Sequence, residues 1–195
     1  MSEDSWSAMQ LKLAVWSALL LAVRAEQTCD YARYGVVPDV VATAPSVQLD
    51  VTFSSGEAAH CGNELSPEST LSPPKVQAPV DPAPFYTLLH VNPDAPLVAP
   101  YLHWLEVDIP GSGLRQGDIS AGSTEATYRP PQPFPGAGPQ RYVYLVYRQP
   151  ARSAGDSLAT DEETELRYFF NVTGYAASRR LEGPVAGNFF LEQLG

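Results

Sequence analysis

Six side chains with hydrogen-bonding or acid–base capacity fall where extended apolar stretches begin or end. Asn92 and Asp94 follow the run 86–91 (YTLLHV), and His103 opens 103–109 (HWLEVDI). Gln140, Arg141 and Tyr142 introduce 141–148 (RYVYLVYR). If these runs are strands of one sandwich, their ends converge on a single surface pocket holding an imidazole, a carboxylate and a phenol. Such a pocket can bind a polar headgroup through hydrogen bonds, or attempt general acid–base chemistry. Each residue also has a plainer role. Asp94 in Asn-Pro-Asp-Ala-Pro is a natural turn residue, His103 beside Trp104 can be a structural histidine, and Tyr142 can be core. Other chemistries find no footing. The three histidines, His60, His90 and His103, show no spacing that holds zinc, and neither a nucleophile elbow nor a phosphate-cradling glycine loop is present.

The elements that must position these residues follow from composition. The chain has 195 residues, 44% of them hydrophobic, enough for one domain with a real core. Nineteen prolines are about twice the ordinary share of ~5%, leaving little room for long helices. Residues 47–53 (VQLDVTF) alternate apolar and polar, as a half-buried strand does. The run 86–91 reads as a central strand, and 103–109, 141–148 and 166–172 as further strands. Residues 54–84 read as irregular structure packed on the same domain, and 111–138 as loop. Residues 153–165 form a solvated acidic excursion, and 175–181 (YAASRRL) a short helix. Strands separated by loops rather than by regular helices predict a mainly β, antiparallel, sandwich-like domain.

Charge and targeting narrow the class. Twelve basic against 22 acidic residues leave a net charge of −10, which argues against a nucleic-acid binder with its basic stripe. Residues 13–23 (LAVWSALLLAV) follow Lys12, and Val23 and Ala25 sit at the −3 and −1 positions of a cleavage site. This predicts a secretory leader over 1–25, too short for a transmembrane helix, and a mature chain from residue 26. The acidic start at Glu3 and Asp4 disappears if translation begins at Met9. Secretion bears on Cys29 and Cys61. They either pair or remain two buried thiols, and an oxidising compartment favours the pair. Asn171-Val-Thr is a glycosylation sequon, usable where Asn171 faces solvent.

Several ordered motifs then coincide. Asn92-Pro-Asp-Ala-Pro96, Tyr101-Leu-His-Trp-Leu, Gly117-Asp-Ile-Ser and Gln140-Arg-Tyr-Val-Tyr-Leu-Val-Tyr strongly resemble the phosphatidylethanolamine-binding protein family. Gly62-Asn-Glu-Leu-Ser-Pro67 and Pro184-Val-Ala-Gly-Asn188 look like further family segments, and Tyr34-Gly-Val-Val-Pro-Asp39 is similar to its secreted invertebrate branch. The resemblance runs from about Cys29 to the C-terminus. It implies a sandwich of two antiparallel sheets with a few short peripheral helices, and a small pocket that accepts anions or phospholipid headgroups without cofactor or metal. Carried over by position, the lining is Asn92, Asp94, Pro96, His103, Pro133, Gln140 and Tyr142. His103, when protonated, and the Tyr142 hydroxyl are expected to donate to ligand oxygens, Asp94 to orient neighbouring donors or the loop, and Arg141 to pair with a carboxylate.

The sequence departs from the family in four ways. Asn92 stands where the family has Asp, and Gln140 where it has His, so hydrogen-bonding groups stay while charge is removed. Only residues 97–100 separate Pro96 from Tyr101, a short loop that reshapes the pocket mouth. The chain stops at Gly195, where animal relatives often continue into a C-terminal helix that covers the site, so the expectation is either a more open pocket or an incomplete form. The expectation is therefore a secreted, non-enzymatic binding protein for a small anionic or phospholipid-type ligand. The alternative is a protein-regulatory role, such as serine protease inhibition or modulation of signalling.

Overall fold

The computed structural model describes residues 29–153 and 162–194. The expected leader over 1–25 and most of the acidic excursion lie outside the described residues. In chain order come α1 (Val36–Asp39), β1 (Val47–Gln48), β2 (Asp50–Thr52), a 3-10 turn (Pro67–Thr70), β3 (Lys75–Gln77) and β4 (Phe85–Asn92). They are followed by β5 (Tyr101–Pro110), α2 (Gly111–Gln116), β6 (Ser123–Ala126), β7 (Gln140–Arg148), α3 (Glu162–Arg167), α4 (Val172–Ser178) and β8 (Glu182–Glu192).

The large sheet has the order β1-β8-β7-β4-β5-β6, and β2 pairs with β3 in a small second sheet. The architecture is the expected two-sheet, mainly β one, except that β1 runs parallel to β8. The segment 47–53 is one alternating run split between the sheets. Leu49 marks the crossing, its N–H donating to Gly187 O at 2.9 Å while β2 moves to the second layer. Gly187 permits this approach, because a Cβ there would lie 2.6 Å from Pro45 Cγ.

Two cores follow from strand alternation. Leu88, Trp104, Tyr142, Tyr144, Val146 and Phe190 face the small sheet, against Leu49, Val51, Phe53 and Val76. Leu89, Val91, Leu105, Val143, Leu145 and Phe189 face the other way, covered by the N-terminal segment and by Phe170, Val172 and Ala176 around α4. Cys29 and Cys61 form a disulfide that fastens the N-terminal segment to this second layer. Beside it, the buried Asn188 amide accepts from Cys61 N–H (3.0 Å) and donates to Leu49 O and Ala59 O (2.8 and 2.9 Å).

Two expectations are corrected, and one strand was not foreseen. Residues 166–172 are not a strand. The run ends α3, turns through Phe169 at φ 53°, and starts α4 with Asn171 as N-cap, whose Oδ1 accepts from Gly174 N–H at 2.8 Å. Residues 111–138 are not all loop, since they hold α2 and β6. The long strand β8 was hidden by Gly183, Pro184 and Gly187. Pro184 is tolerated because it lies in the irregular stretch between the pairs Arg148–Glu182 and Val146–Ala186.

Candidate ligand-binding site

Prolines delimit the strand ends that build the site. Pro93 follows Asn92 and ends β4, Pro100 precedes β5, and Pro139 precedes β7. Each lacks the N–H that would carry the ladder further. Asn92 Oδ1 accepts from Asp94 N–H at 2.8 Å, an Asx-type turn that folds 93–100 back over the sheet. The result is a cavity of about 360 Å³. Asn92, Pro96, His103 and Gln140 line it, with Arg129, Pro130, Gln132 and Phe134 from the loop before β7.

A β-bulge sets the aim of His103. Across β4 and β5, His90 pairs with Trp104 and Val91 with Leu102, so His103 is the extra residue. Trp104 keeps the inner-core face, and His103 turns into the cavity beside it. His103 O accepts from Arg129 N–H, and His103 Nδ1 lies 2.8 Å from Arg129 O. A carbonyl oxygen only accepts, so Nδ1 carries the hydrogen. Burial above all, then the positive charges of Arg167 and Arg129, lower this imidazole to about 4, against the upward pull of the bond to Arg129 O. It is neutral at physiological pH, and its Nε2 is a lone-pair acceptor. The expected role of His103 as a charged donor is thereby corrected.

The donors lie elsewhere. Asn92 Nδ2 donates to Gln140 Oε1 at 2.7 Å, which leaves Gln140 Nε2 buried without a hydrogen-bond partner. Tyr142 Oη is likewise buried and, although near Asn92 and the Gln132 backbone, makes no hydrogen bond of good geometry. Burial chiefly raises that phenol, keeping it protonated. Of the seven carried-over residues, Asn92, Pro96, His103 and Gln140 line the cavity. Tyr142 lies beneath it, its ring edge-on to His103 at 5.3 Å, and Pro133 is buried in the loop wall.

Asp94 turns away from the cavity into a structural clamp. It accepts from Arg141 N–H, Nε and Nη2 at 2.9, 2.9 and 2.6 Å, while Arg141 Nη1 donates to Asp39 and to Tyr34 O. Burial pushes the Asp94 carboxyl up, but the bonds from Arg141 outweigh it and the net shift is downward. Arg141 thus joins the pocket loop to the N-terminal segment, as its expected pairing with a carboxylate required.

Sequence reasoning missed Arg129, Tyr101, Phe134 and Arg167. Arg167 is fully buried in α3, donating to Leu102 O, His103 O and Thr127 O at 2.9, 3.1 and 2.7 Å, so it grips the bulge from behind. Reading 166–172 as a strand concealed it. The rim is apolar. Phe134 is 58% exposed, Leu97 is 90% exposed between Pro96 and Val98, and Phe169, 66% exposed, donates its N–H to Val98 O.

The model of the phosphatidylethanolamine-binding protein family matches residues 43–190. The chain belongs to that family. It is 37% identical over 172 residues to a 26 kDa secreted antigen of Toxocara canis, covering 85% of this chain and 63% of the antigen. It is 36% identical over 155 residues to the protein BROTHER of FT and TFL 1 of Arabidopsis thaliana, covering 76% and 81% of the two chains. Among solved structures, a carboxypeptidase Y inhibitor complexed with its cognate proteinase superposes with a TM-score of 0.70 at 24% identity, covering 85% of this chain and 93% of that one. The phosphatidylethanolamine-binding protein of Plasmodium vivax does so with 0.64 at 18% identity, covering 85% and 96%. These two structural likenesses speak for the fold. The antigen's name fits the invertebrate-type branch of the phosphatidylethanolamine-binding proteins, and the Cys29–Cys61 bond fits an extracellular setting.

Proposed function

We propose that this chain is a secreted, non-enzymatic binding protein that holds a small oxygen-rich ligand, a phosphate-type anion or a phospholipid headgroup, in the cavity over Gln140. One observation carries the reading: Gln140 Nε2, on the cavity floor, and the nearby Tyr142 Oη are two buried donors that make no hydrogen bond of good geometry. A buried donor left unpaired costs about 1–3 kcal/mol, so a ligand oxygen there is strongly favoured. His103 Nε2 adds an acceptor, which suits a ligand that also carries a hydroxyl or an N–H. The exposed Leu97, Phe134 and Phe169 border the mouth, where the apolar part of a lipid would lie.

The test is titration of the 15N-labelled protein with inorganic phosphate and with phosphoethanolamine. The Gln140 side-chain amide and the His103 ring are expected to shift. If both stay unmoved to tens of millimolar ligand, the reading is wrong.

The same rim favours a second reading, in which a protein partner covers Leu97, Phe134 and Phe169. The inhibitor among the similar structures makes proteases the first class to try. A panel of extracellular serine proteases, unaffected by micromolar protein, would remove that version. Mass spectrometry of the expressed protein tests two further expectations, cleavage after Ala25 and a glycan on Asn171. The Asn171 side chain is exposed at the N-cap of α4, where its Oδ1 also accepts from Thr173 Oγ1.

A further inference from the structure

A carboxyl lies hidden next to the pocket floor. Glu192 ends β8 directly opposite Gln140, the first residue of β7, so the two side chains share one face of the sheet. Cross-strand partners of this kind hold their Cβ atoms about 5 Å apart. Glu192 is fully buried. Its Oε2 accepts from Thr70 Oγ1 at 3.0 Å, and its Oε1 has no hydrogen-bond partner. The adjacent Gln140 Nε2 has none either. An acceptor and a donor, both buried and both unpaired, therefore belong to directly opposed residues of β7 and β8, one of them lining the ligand cavity.

The surroundings of Glu192 can be named element by element. The 3-10 turn supplies Thr70 and, further out, the Glu68 charge. β7 supplies Gln140, Tyr142 and Tyr144, and the loop before it Tyr128, all three phenols being influenced by the Glu192 charge. β4 adds His90, stacked on Tyr144. Glu64, across from Leu191, turns to the surface and bonds Gln193. Among the described residues, the charged group that acts on Glu192 is thus another acid.

We propose that Glu192 is the charge-selecting residue of the pocket, and that an oxyanion enters only while this carboxyl holds its proton. The proposal rests on the pocket reading above. When ionised, Glu192 opposes an anion in two ways. It places a negative charge next to the cavity floor, and it becomes the natural acceptor for Gln140 Nε2, the donor the ligand needs. When protonated it carries no charge, so the repulsion is gone, and its remaining acceptor oxygen holds Gln140 Nε2 only as weakly as a neutral carbonyl does. Burial first, and then the Glu68 charge, raise the carboxyl to about 7, despite the bond from Thr70. His103 and His90 are held neutral by burial, and the three phenols are pushed upward. Between about pH 6 and about pH 8, Glu192 alone among these shifted groups changes charge.

The test needs a ligand whose own charge stays constant. Glycerophosphoglycerol is a phosphodiester monoanion over this range, and its hydroxyls supply hydrogens for His103 Nε2. Its affinity is expected to fall about tenfold from pH 6 to pH 8, within the usual range of site–site coupling. In Glu192→Gln the affinity should stay flat, near the wild-type value at pH 6. A second arm uses the wild-type protein alone. Calorimetry near pH 7.5, in two buffers of different ionisation enthalpy, should show proton uptake on binding. Flat wild-type affinity, no proton uptake, or an unchanged pH profile in the Gln variant overturns the proposal and leaves the pocket reading standing. No glycerophosphoglycerol binding at any pH also overturns it. The pocket reading falls as well only if phosphate and phosphoethanolamine are silent too.

Discussion

Replacing His90 with phenylalanine should stabilise the protein, and more so in acid. His90 is fully buried on β4, its ring stacked on Tyr144 at 4.0 Å and 7°. Neither ring nitrogen has a hydrogen-bond partner. An unpaired imidazole held in that place costs about 1–3 kcal/mol at neutral pH. His90→Phe keeps the ring and the stack while deleting both polar atoms, so the gain at pH 7 should be of that size. For a domain of this length, each kcal/mol raises Tm by about 2–4 °C.

Burial, and secondarily His103, hold the His90 imidazole well below its ordinary value. Below about pH 6.5 the unfolded chain takes up a proton that the folded protein refuses, so wild-type stability falls with falling pH by up to ~1.4 kcal/mol per unit. At about pH 5 the advantage of the variant should have grown by about 2 kcal/mol. His103 behaves in the same sense but is present in both proteins and cancels in the difference. Urea unfolding followed by tryptophan fluorescence, with the disulfide intact, reads both numbers. His90→Leu serves as a control that shares the pH-dependent gain without the stack. The reasoning fails if His90→Phe is less stable than wild type at pH 7, or if the gap does not widen on acidification.

Other consequences can be checked with the same assay. Asp94→Asn removes the carboxylate that accepts three bonds from Arg141, and should cost about 1–2 kcal/mol at pH 7 and speed hydrogen exchange at the Arg141 amide. Because the Asp94 carboxyl is lowered on folding, its contribution is present above about pH 4 and is lost as acid protonates it, so the variant should approach wild type below that pH. The double change Cys29→Ser and Cys61→Ser opens a sequence separation of 32 and should cost about 3–4 kcal/mol by the chain-entropy estimate, matched by reduction of the wild type. Arg167→Lys cannot span Leu102 O, His103 O and Thr127 O with one ammonium, and should lose on the order of 2–4 kcal/mol. A shifted His103 ring resonance in the folded variant would show that the bulge had moved.

What was legible in the sequence is what local pattern encodes. The central strands 86–91 and 141–148 are buried on both faces, so their near-continuous apolar character survives any partner arrangement. β8 was illegible because its pairing, not its composition, makes it a strand: Gly183 and Pro184 sit in a register irregularity that only β7 defines. At the site, the three strand ends carrying Asn92, His103 and Gln140 were found because polar residues interrupt apolar runs there. The protonation state of His103 could not be read, since it depends on the carbonyl of Arg129, a residue 26 positions away. Glu192 and Arg167 gave no local signal for the same reason. An isolated Glu near a chain end and an Arg in an acidic stretch look solvated until tertiary packing buries them. Asp94 was placed in the right region with an orienting role, but which group it holds was not legible, because its partner Arg141 lies 47 residues on.

The bulge at His103 has a meaning for anyone who would rebuild this site on another scaffold. The histidine enters the cavity because the backbone carries one residue more than its neighbour strand can match. A histidine grafted at the equivalent position of a regular strand would keep its chemistry and face the opposite layer, since a slip of one residue inverts every side chain. Transplanting the pocket therefore means transplanting an insertion. By the same logic, deleting Leu102 alone would restore a regular register and turn the imidazole into the opposite core.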